Sequence, residues 1–321
     1  MDDILLFSSD NQLINETVDL LKTQFEVKDL GYPQNFLGIQ IIKDDKGYLS
    51  LTQERSIVDT MKNFNMNEAN SVPTPIVTLK PNENEKQHTN EFPYKRAIGS
   101  LLYLSNTTRP DISFAVNYVS RFQAEPRTEH WSMVKRIFRY LKGTTNYALK
   151  FDRNTGKQFE VYVDADFGGD PRTRRSTTGF LITYNGNLVH WRSHLQQTIA
   201  RSTAEAEYIA ICDVSTEILY VVYLSTETIE RILLPVTVFE DNAAAITQCE
   251  KTSSRGRLKY LEQQLLLKQE LFERKILQIT KISTEKQLAD VLTKPLSIDR
   301  HTYLVSQIMF TGTRKQDPKK N

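Results

Sequence analysis

Apolar and polar positions along this chain repeat with periods that change at recognisable points. Residues 11–25, NQLINETVDLLKTQF, place Leu13, Val18, Leu21 and Phe25 at near-helical spacing and predict a helix. FLGIQIIKDDKGYLSL predicts two strands folded back around Asp-Asp-Lys-Gly. TQERSIVDTMKNFNM predicts a second helix with Thr52 as its cap. Residues 69–93 hold four prolines and little periodicity, which predicts an extended linker over the surface. Three helical stretches follow, at 94–107, 111–123 and 127–142.

From residue 144 the period shortens. Strands are predicted at 158–165, 178–184 and 187–192, the last two joined at Asn185-Gly186, a pair suited to a tight hairpin. RSTAEAEYIAICDVSTEILYVVYLS predicts a helix in which Ser202 and Glu205 have capping-box spacing. VTVFEDN predicts a strand, AAAITQCE a short helix, LKYLEQQLLLKQELFERK a longer one, and ILQITKIS another strand. TEKQLADVLTK predicts a final helix halted before Pro295. The order βββ-α-β-α-α-β-α predicts an α/β (α+β) architecture, helices flanking a mixed sheet. The opening MDDILLF predicts a strand, and a chain that begins inside a core strand suggests further sequence upstream.

Composition narrows the class. The 321 residues allow two ordinary domains, and 39% hydrophobic with 25% charged residues is a globular composition. A net charge of +2, from 41 basic and 39 acidic residues, announces no nucleic-acid partner, although an acidic site would mask a local basic face. Lys135, Arg139 and Lys142 fall at i, i+4 and i+7 of a predicted helix, the spacing of a phosphate-contacting face or of a solvated one. Cys212 and Cys249 fit no zinc or disulfide framework and predict free thiols in a reducing compartment. No signal peptide is apparent, and no apolar run approaches the roughly 20 residues of a membrane helix, so an intracellular protein without a membrane partner is expected.

The acids carry the chemistry. Asp164 ends a predicted strand, Glu207 lies in the first turns of a helix, Asp241 ends another strand and Asp290 sits in the last helix. Strand ends and helix starts meet at one edge of such a sheet, so these four could form one cluster. Packed carboxylates repel one another unless a cation joins them. Asp and Glu oxygens suit Mg²⁺ or Mn²⁺, and two such ions would activate a water and stabilise a phosphodiester's leaving oxygen. Each acid taken singly also reads as a solvated residue or a cap, Asp241 before Asn242 above all. Asp164-x-Asp166 alone also suits a metal that holds a nucleotide sugar, which leaves a glycosyl transferase open.

VDADFGGDPRTRRSTTGFL, RSTAEAEYIA, VFEDNAAAI and KQLADVLTKPL, in that order, resemble the ribonuclease H domain of copia-type LTR retrotransposon Pol polyproteins. MDDILLFSSD is similar to the catalytic-loop hairpin of the reverse transcriptase of that family, and FLGIQI to its primer grip. RPDISFAVNYVSRF and RYLKGT resemble the segment that joins polymerase to ribonuclease H. The resemblance runs from residue 1 to about 310. It implies a truncated polymerase palm and thumb part at 1–68, a linker at 69–93, a helical connection at 94–150, a ribonuclease H-like domain with a mixed five-stranded sheet at 151–300, and a tail at 301–321.

By resemblance, Asp164, Glu207, Asp241 and Asp290 stand at the catalytic metal-binding positions. The implied reaction is hydrolysis of the RNA strand of an RNA:DNA hybrid with two Mg²⁺ or Mn²⁺ ions. Lys135, Arg139, Lys142, Arg172, Arg174 and Arg175 become candidates for nucleic-acid contacts, while Asp166 and Asp170 are expected to flank the site. Asp2 and Asp3 match a polymerase remnant that lacks the rest of its site, so no polymerisation is expected without the upstream portion of Pol, itself a candidate partner. The cytoplasm, a virus-like particle or the nucleus is the implied location. Two departures stand out: Phe167 replaces the usual Trp, and Tyr260, Glu262 and Leu266 replace His, Asp and His of a 254–266 block. The first is a mild change; the altered block and the missing polymerase half favour the alternative, a non-catalytic retrotransposon relic with at most nucleic-acid binding, whereas the intact acids favour the enzyme.

Overall fold

The computed structural model describes residues 3–77, 92–152, 158–228, 233–250 and 262–311. Asp2 and most of the altered 254–266 block, including Tyr260, lie outside them. Residues 3–7 form no strand, contrary to the sequence expectation, and Ile4 and Phe7 are exposed. Helix α1 (Asn11–Gln24) starts where the Asp10 carboxylate accepts the Gln12 N–H at 2.8 Å, and none of its residues is buried.

A first antiparallel sheet follows, in the order β1 (Asn35–Phe36), β2 (Ile39–Lys43), β3 (Leu49–Thr52) and, from much later in the chain, β4 (Leu149–Phe151). The Asp44–Gly47 turn closes the predicted hairpin, with Gly47 at φ 81°. Helix α2 (Glu54–Asn63) begins one residue later than expected, after Gln53. Thr52 is no cap: it ends β3, and its hydroxyl faces the Tyr147 carbonyl.

Helices α3 (Tyr94–Thr107), α4 (Ser113–Ser120) and α5 (Thr128–Gly143) enclose an apolar core with α2. Part of the predicted surface linker joins that core, since Thr74, Pro75 and Ile76 are buried. Arg109, fully buried, donates to both oxygens of Asp111 at 2.9 and 2.7 Å and to the Thr144 carbonyl at 3.0 Å. Tyr140 donates to the same Asp111 at 2.7 Å. A buried guanidinium is tolerable only with such pairing.

The second sheet contains β5 (Gln158–Ala165), β6 (Thr177–Tyr184), β7 (Asn187–Leu195), β8 (Leu233–Glu240) and β9 (Leu277–Lys281). Its order is β7-β6-β5-β8-β9, with β5, β6 and β7 antiparallel and β5, β8 and β9 parallel. This is a mixed five-stranded sheet, as the resemblance implied. Asn185 and Gly186 take φ 53° and 79°, the left-handed pair that a two-residue hairpin needs. Helix α6 (Thr203–Thr228) crosses one face and buries Ala206, Ile209, Ala210, Val214 and Ile218 against Val161, Val163 and Val238. Contrary to the sequence reading, Thr203–Glu227 is long and apolar enough to cross a membrane by length and composition; its inner face is committed to this sheet. Helices α7 (Ala243–Glu250) and α8 (Glu262–Glu273) complete that layer.

The predicted last helix is instead two 3₁₀ turns, Thr284–Lys286 and Leu288–Leu292. The true last helix of the described residues is α9 (Ile298–Ile308), in what the sequence suggested was mostly tail. Ser297 caps it by accepting the Arg300 N–H at 3.4 Å. It covers the other face of the sheet, where Leu304, Val305 and Ile308 pack with Leu149, Leu181, Leu188 and Leu292. Residue 310 then pairs with Ala148 in an antiparallel bridge. The two sheets are joined through the 147–151 segment, and β7 packs on α4, while its Trp191 indole donates to the Ser105 carbonyl of α3 at 2.8 Å.

Candidate active site

Parallel pairing of β5 with β8 brings their ends to the same edge, and α6 starts above that edge. Asp164 points from the end of β5, Glu207 from the second turn of α6, and Asp241 from the residue after β8. One oxygen of each lies within 4.8 Å of the others. Asp164 and Glu207 are buried and Asp241 is half-buried. Glu207 accepts the Ala165 N–H at 2.7 Å, which fixes α6 to the tip of β5. Asp241 accepts the Thr284 hydroxyl at 2.7 Å. It does not cap α7; Asn242 does, accepting the Ala244 and Ala245 N–H groups at 3.0 and 3.1 Å.

Asp290 reaches the same edge by another route. Its 3₁₀ turn is stitched to the sheet by Gln287, which donates to the Val163 carbonyl at 2.9 Å. Gly179, directly opposite Asp164 in the ladder, lets the turn come close: a Cβ there would sit 2.7 Å from Leu292 Cβ and Thr293 Cγ2. Asp290 is held by two cations, Arg300 at 2.9 Å on one oxygen and Lys294 at 2.6 Å on the other. Lys294 also lies 3.4 Å from Asp164, which accepts the Thr293 hydroxyl as well. Asp290 thus adjoins the triad through Lys294 and is not one of the three converging acids.

Burial sets the electrostatics. It pushes the Asp164 carboxyl up, against the pull of Lys294, and pushes Glu207 well up, helped by the charges of Asp164, Glu240 and Asp241. Glu240, which sequence reasoning passed over, is fully buried; one oxygen accepts the Asn242 N–H at 2.9 Å and the other has no hydrogen-bond partner. Burial, with Asp164 and Asp241 nearby, raises it to about 8. Hard oxygen donors from three elements, held together although two of them are driven toward the neutral form, fit a divalent cation of the Mg²⁺ or Mn²⁺ type.

The remaining candidates are scattered. Asp166 ties the loop to β6 by accepting the Thr177 N–H, and burial raises it to about 6; Asp170 is buried and accepts the Thr173 hydroxyl at 2.5 Å. Arg139 and Lys142 are not a free basic face. They donate to the Asn70 and Asn67 carbonyls at 2.7 and 2.5 Å and clasp the chain that crosses α5, leaving Lys135 exposed. Arg172 lies over the Phe122 ring at 4.4 Å and donates to the Arg121 carbonyl. Arg174 is exposed and Arg175 half-buried beside it. Asp3 is exposed on the unpaired opening segment. His190 and His194 of β7 pair across to Glu217 and Asp213 of α6, each at 3.2 Å. Thr293, Lys294 and Gln287 all lie in or beside the KQLADVLTKPL block, whose spacing shows the stretch but not their roles.

A family model described as Reverse transcriptase (RNA-dependent DNA polymerase) matches residues 1–78. The chain is 36% identical to the retrovirus-related Pol polyprotein from transposon TNT 1-94 of Nicotiana tabacum over 92% of its length, but spans 23% of that polyprotein. It is 32% identical to a transposon Ty5-1 protein of Saccharomyces cerevisiae, over 68% of this chain and 72% of that protein. Among solved structures, the LC11 ribonuclease H1 isolated from compost is similar at 21% identity and TM-score 0.33, over 43% of this chain and 93% of that one. On the sequence relatives, this chain belongs to the copia-type retrotransposon Pol family.

Proposed function

We propose that the chain is a metal-dependent ribonuclease H that hydrolyses the RNA strand of RNA:DNA hybrids. The observation that carries this reading is the convergence of Asp164, Glu207 and Asp241, from three separate elements, within 4.8 Å. These three residues would hold one divalent ion, and Asp164 with Asp290 would face a second. Bound Mg²⁺ or Mn²⁺ supplies a nucleophilic water and a counter-charge for the leaving oxygen. The protein's own share is positional. The Glu207 bond to Ala165 and the Gln287 bond to Val163 fix the acids on the strand ends, so that little reorganisation remains when a phosphodiester arrives. Exposed Lys135 and Arg174 are available for phosphates, whereas Arg139 and Lys142 hold the fold.

A nucleotide-sugar transferase would leave Glu207 and Asp241 without a task. The polymerase-related segment is read as inactive alone, because Asp3 stands exposed on unpaired chain; primer extension above background would overturn that reading. The deciding experiment is cleavage of a labelled RNA:DNA hybrid in Mg²⁺ or Mn²⁺, wild type beside Asp241→Asn. Cleavage by the wild type and a loss of at least about a hundredfold in the variant are expected. A folded wild type that cleaves in neither metal would sink the proposal in favour of the non-catalytic relic.

A further inference from the structure

We propose that Lys294 is a built-in counter-cation for the Asp164–Asp290 half of the site, so that two divalent ions enter in a fixed order and only the second must displace it. This rests on the metal-site reading above and goes beyond it. The Lys294 ammonium lies 2.6 Å from Asp290 Oδ1 and 3.4 Å from Asp164 Oδ2. An ion such as Mg²⁺ binds carboxylate oxygen at about 2.1 Å, inside the space that this ammonium fills. The two positions are therefore exclusive, and a divalent ion placed there would also meet a like charge at contact distance.

The other cation on Asp290 is differently built. Arg300 grips Asp290 Oδ2 at 2.9 Å while donating to the Thr284 carbonyl at 2.7 Å and the Gln287 carbonyl at 3.4 Å. It is anchored to backbone, and its side chain is 23% exposed. Lys294 is 38% exposed, and its ion-pair partners among the described residues are the two carboxylates. A lysine on a flexible stem at the rim can swing into water, whereas a guanidinium in a backbone cradle cannot do so cheaply. Arg300 thus orients Asp290, and Lys294 holds its second oxygen until an ion replaces it.

Of the triad acids only Asp164 meets Lys294, at 3.4 Å on one oxygen, and Glu207 and Asp241 have no such occupant. No lysine or arginine ion pair reaches Glu207 or Asp241 among the described residues, and the triad oxygens already lie within 4.8 Å. The first ion enters there and relieves repulsion; the second must evict a cation. Unequal affinity follows from the chain's own residues.

The test is calorimetric titration of the full chain with MnCl₂, for wild type, Lys294→Met, Lys294→Gln and Lys294→Arg, with circular dichroism to confirm folding. Wild type is expected to show one tight and one weak class. The neutral variants should tighten the weak class by about tenfold or more, as loss of a competing charge at contact distance implies, and the arginine variant should not. If the weak class moves less than about twofold in whichever neutral variant folds, Lys294 is an ordinary structural ion pair and the proposal is overturned; equal classes in the wild type overturn it too. Asp241→Asn separates the two claims. It should abolish the tight class, and survival of that class would refute the metal-site reading itself, whatever Lys294 does.

Discussion

Replacing Glu240 by Gln should make the metal-free protein more stable at neutral and higher pH. Glu240 is fully buried, with one oxygen bonded to the Asn242 N–H at 2.9 Å and the other without a partner. Its folded pKa is raised from 4.5 to about 8. A carboxyl raised in this way adds most stability below 4.5, and that stability is lost as pH rises through about 8. At pH 7 the unfolded chain holds Glu240 ionised while the fold keeps it protonated. The 2.5 units between 4.5 and 7, at about 1.4 kcal/mol each, set a penalty of about 3 kcal/mol. Gln keeps the shape and the acceptor for Asn242, removes that penalty, and points an amide N–H at neighbouring carboxylates. Allowing for imperfect geometry of the new donor, the net gain should be about 1 to 3 kcal/mol. Urea unfolding in EDTA at pH 5 and pH 8 measures it. The wild type should lose stability between the two, and the variant should lose less. A variant no more stable than wild type at pH 7 to 8 would refute the reasoning.

Two further outcomes are expected. Asp111→Ala strands the fully buried Arg109 guanidinium and should cost about 3 to 5 kcal/mol of unfolding free energy by urea titration, with a loss under about 1 showing that water or another acceptor rescues it. Gly179→Ala places a methyl 2.7 Å from Leu292 and Thr293, so it should cost about 1 to 3 kcal/mol and weaken Mn²⁺ binding by tilting the Asp290 turn off β6; unchanged affinity would mean that the turn can yield freely.

The elements most legible in the sequence are those whose signal is local. The β6–β7 hairpin was readable because Asn185-Gly186 demands left-handed backbone, and α1, α3 and α5 because their apolar spacing is helical. What failed depends on distant partners. The 3–7 segment has strand composition but gains no ladder, and β4 exists because β3 offers an edge. The Asp290 stretch looks helical in isolation, yet Gln287 bonds to β5 and tightens it into 3₁₀ turns. For the site, three of the four acids could be brought together because Asp164 and Asp241 lie at strand ends and Glu207 in the opening turns of a helix. The cations on Asp290 could not be read, since Lys294 and Arg300 are also what an ordinary surface would carry. The basic face of α5 misled for the converse reason: helical spacing showed which residues shared it, but not that the chain at 67–70 lies across it.

The bridge between Ala148 and residue 310 bears on how this chain can be divided. A cut at residue 151 would look natural, since β5 and the acidic edge follow it. It would remove Leu149, which lines the same apolar layer as Leu181, Leu188 and Leu304. A stop before Ile298 would strip Leu304, Val305 and Ile308 from the sheet's second face. A minimal fragment carrying the acidic edge therefore has to begin upstream of Tyr147 and run to about residue 310, and a shorter one would present an oily sheet face and precipitate before its carboxylates could be assayed.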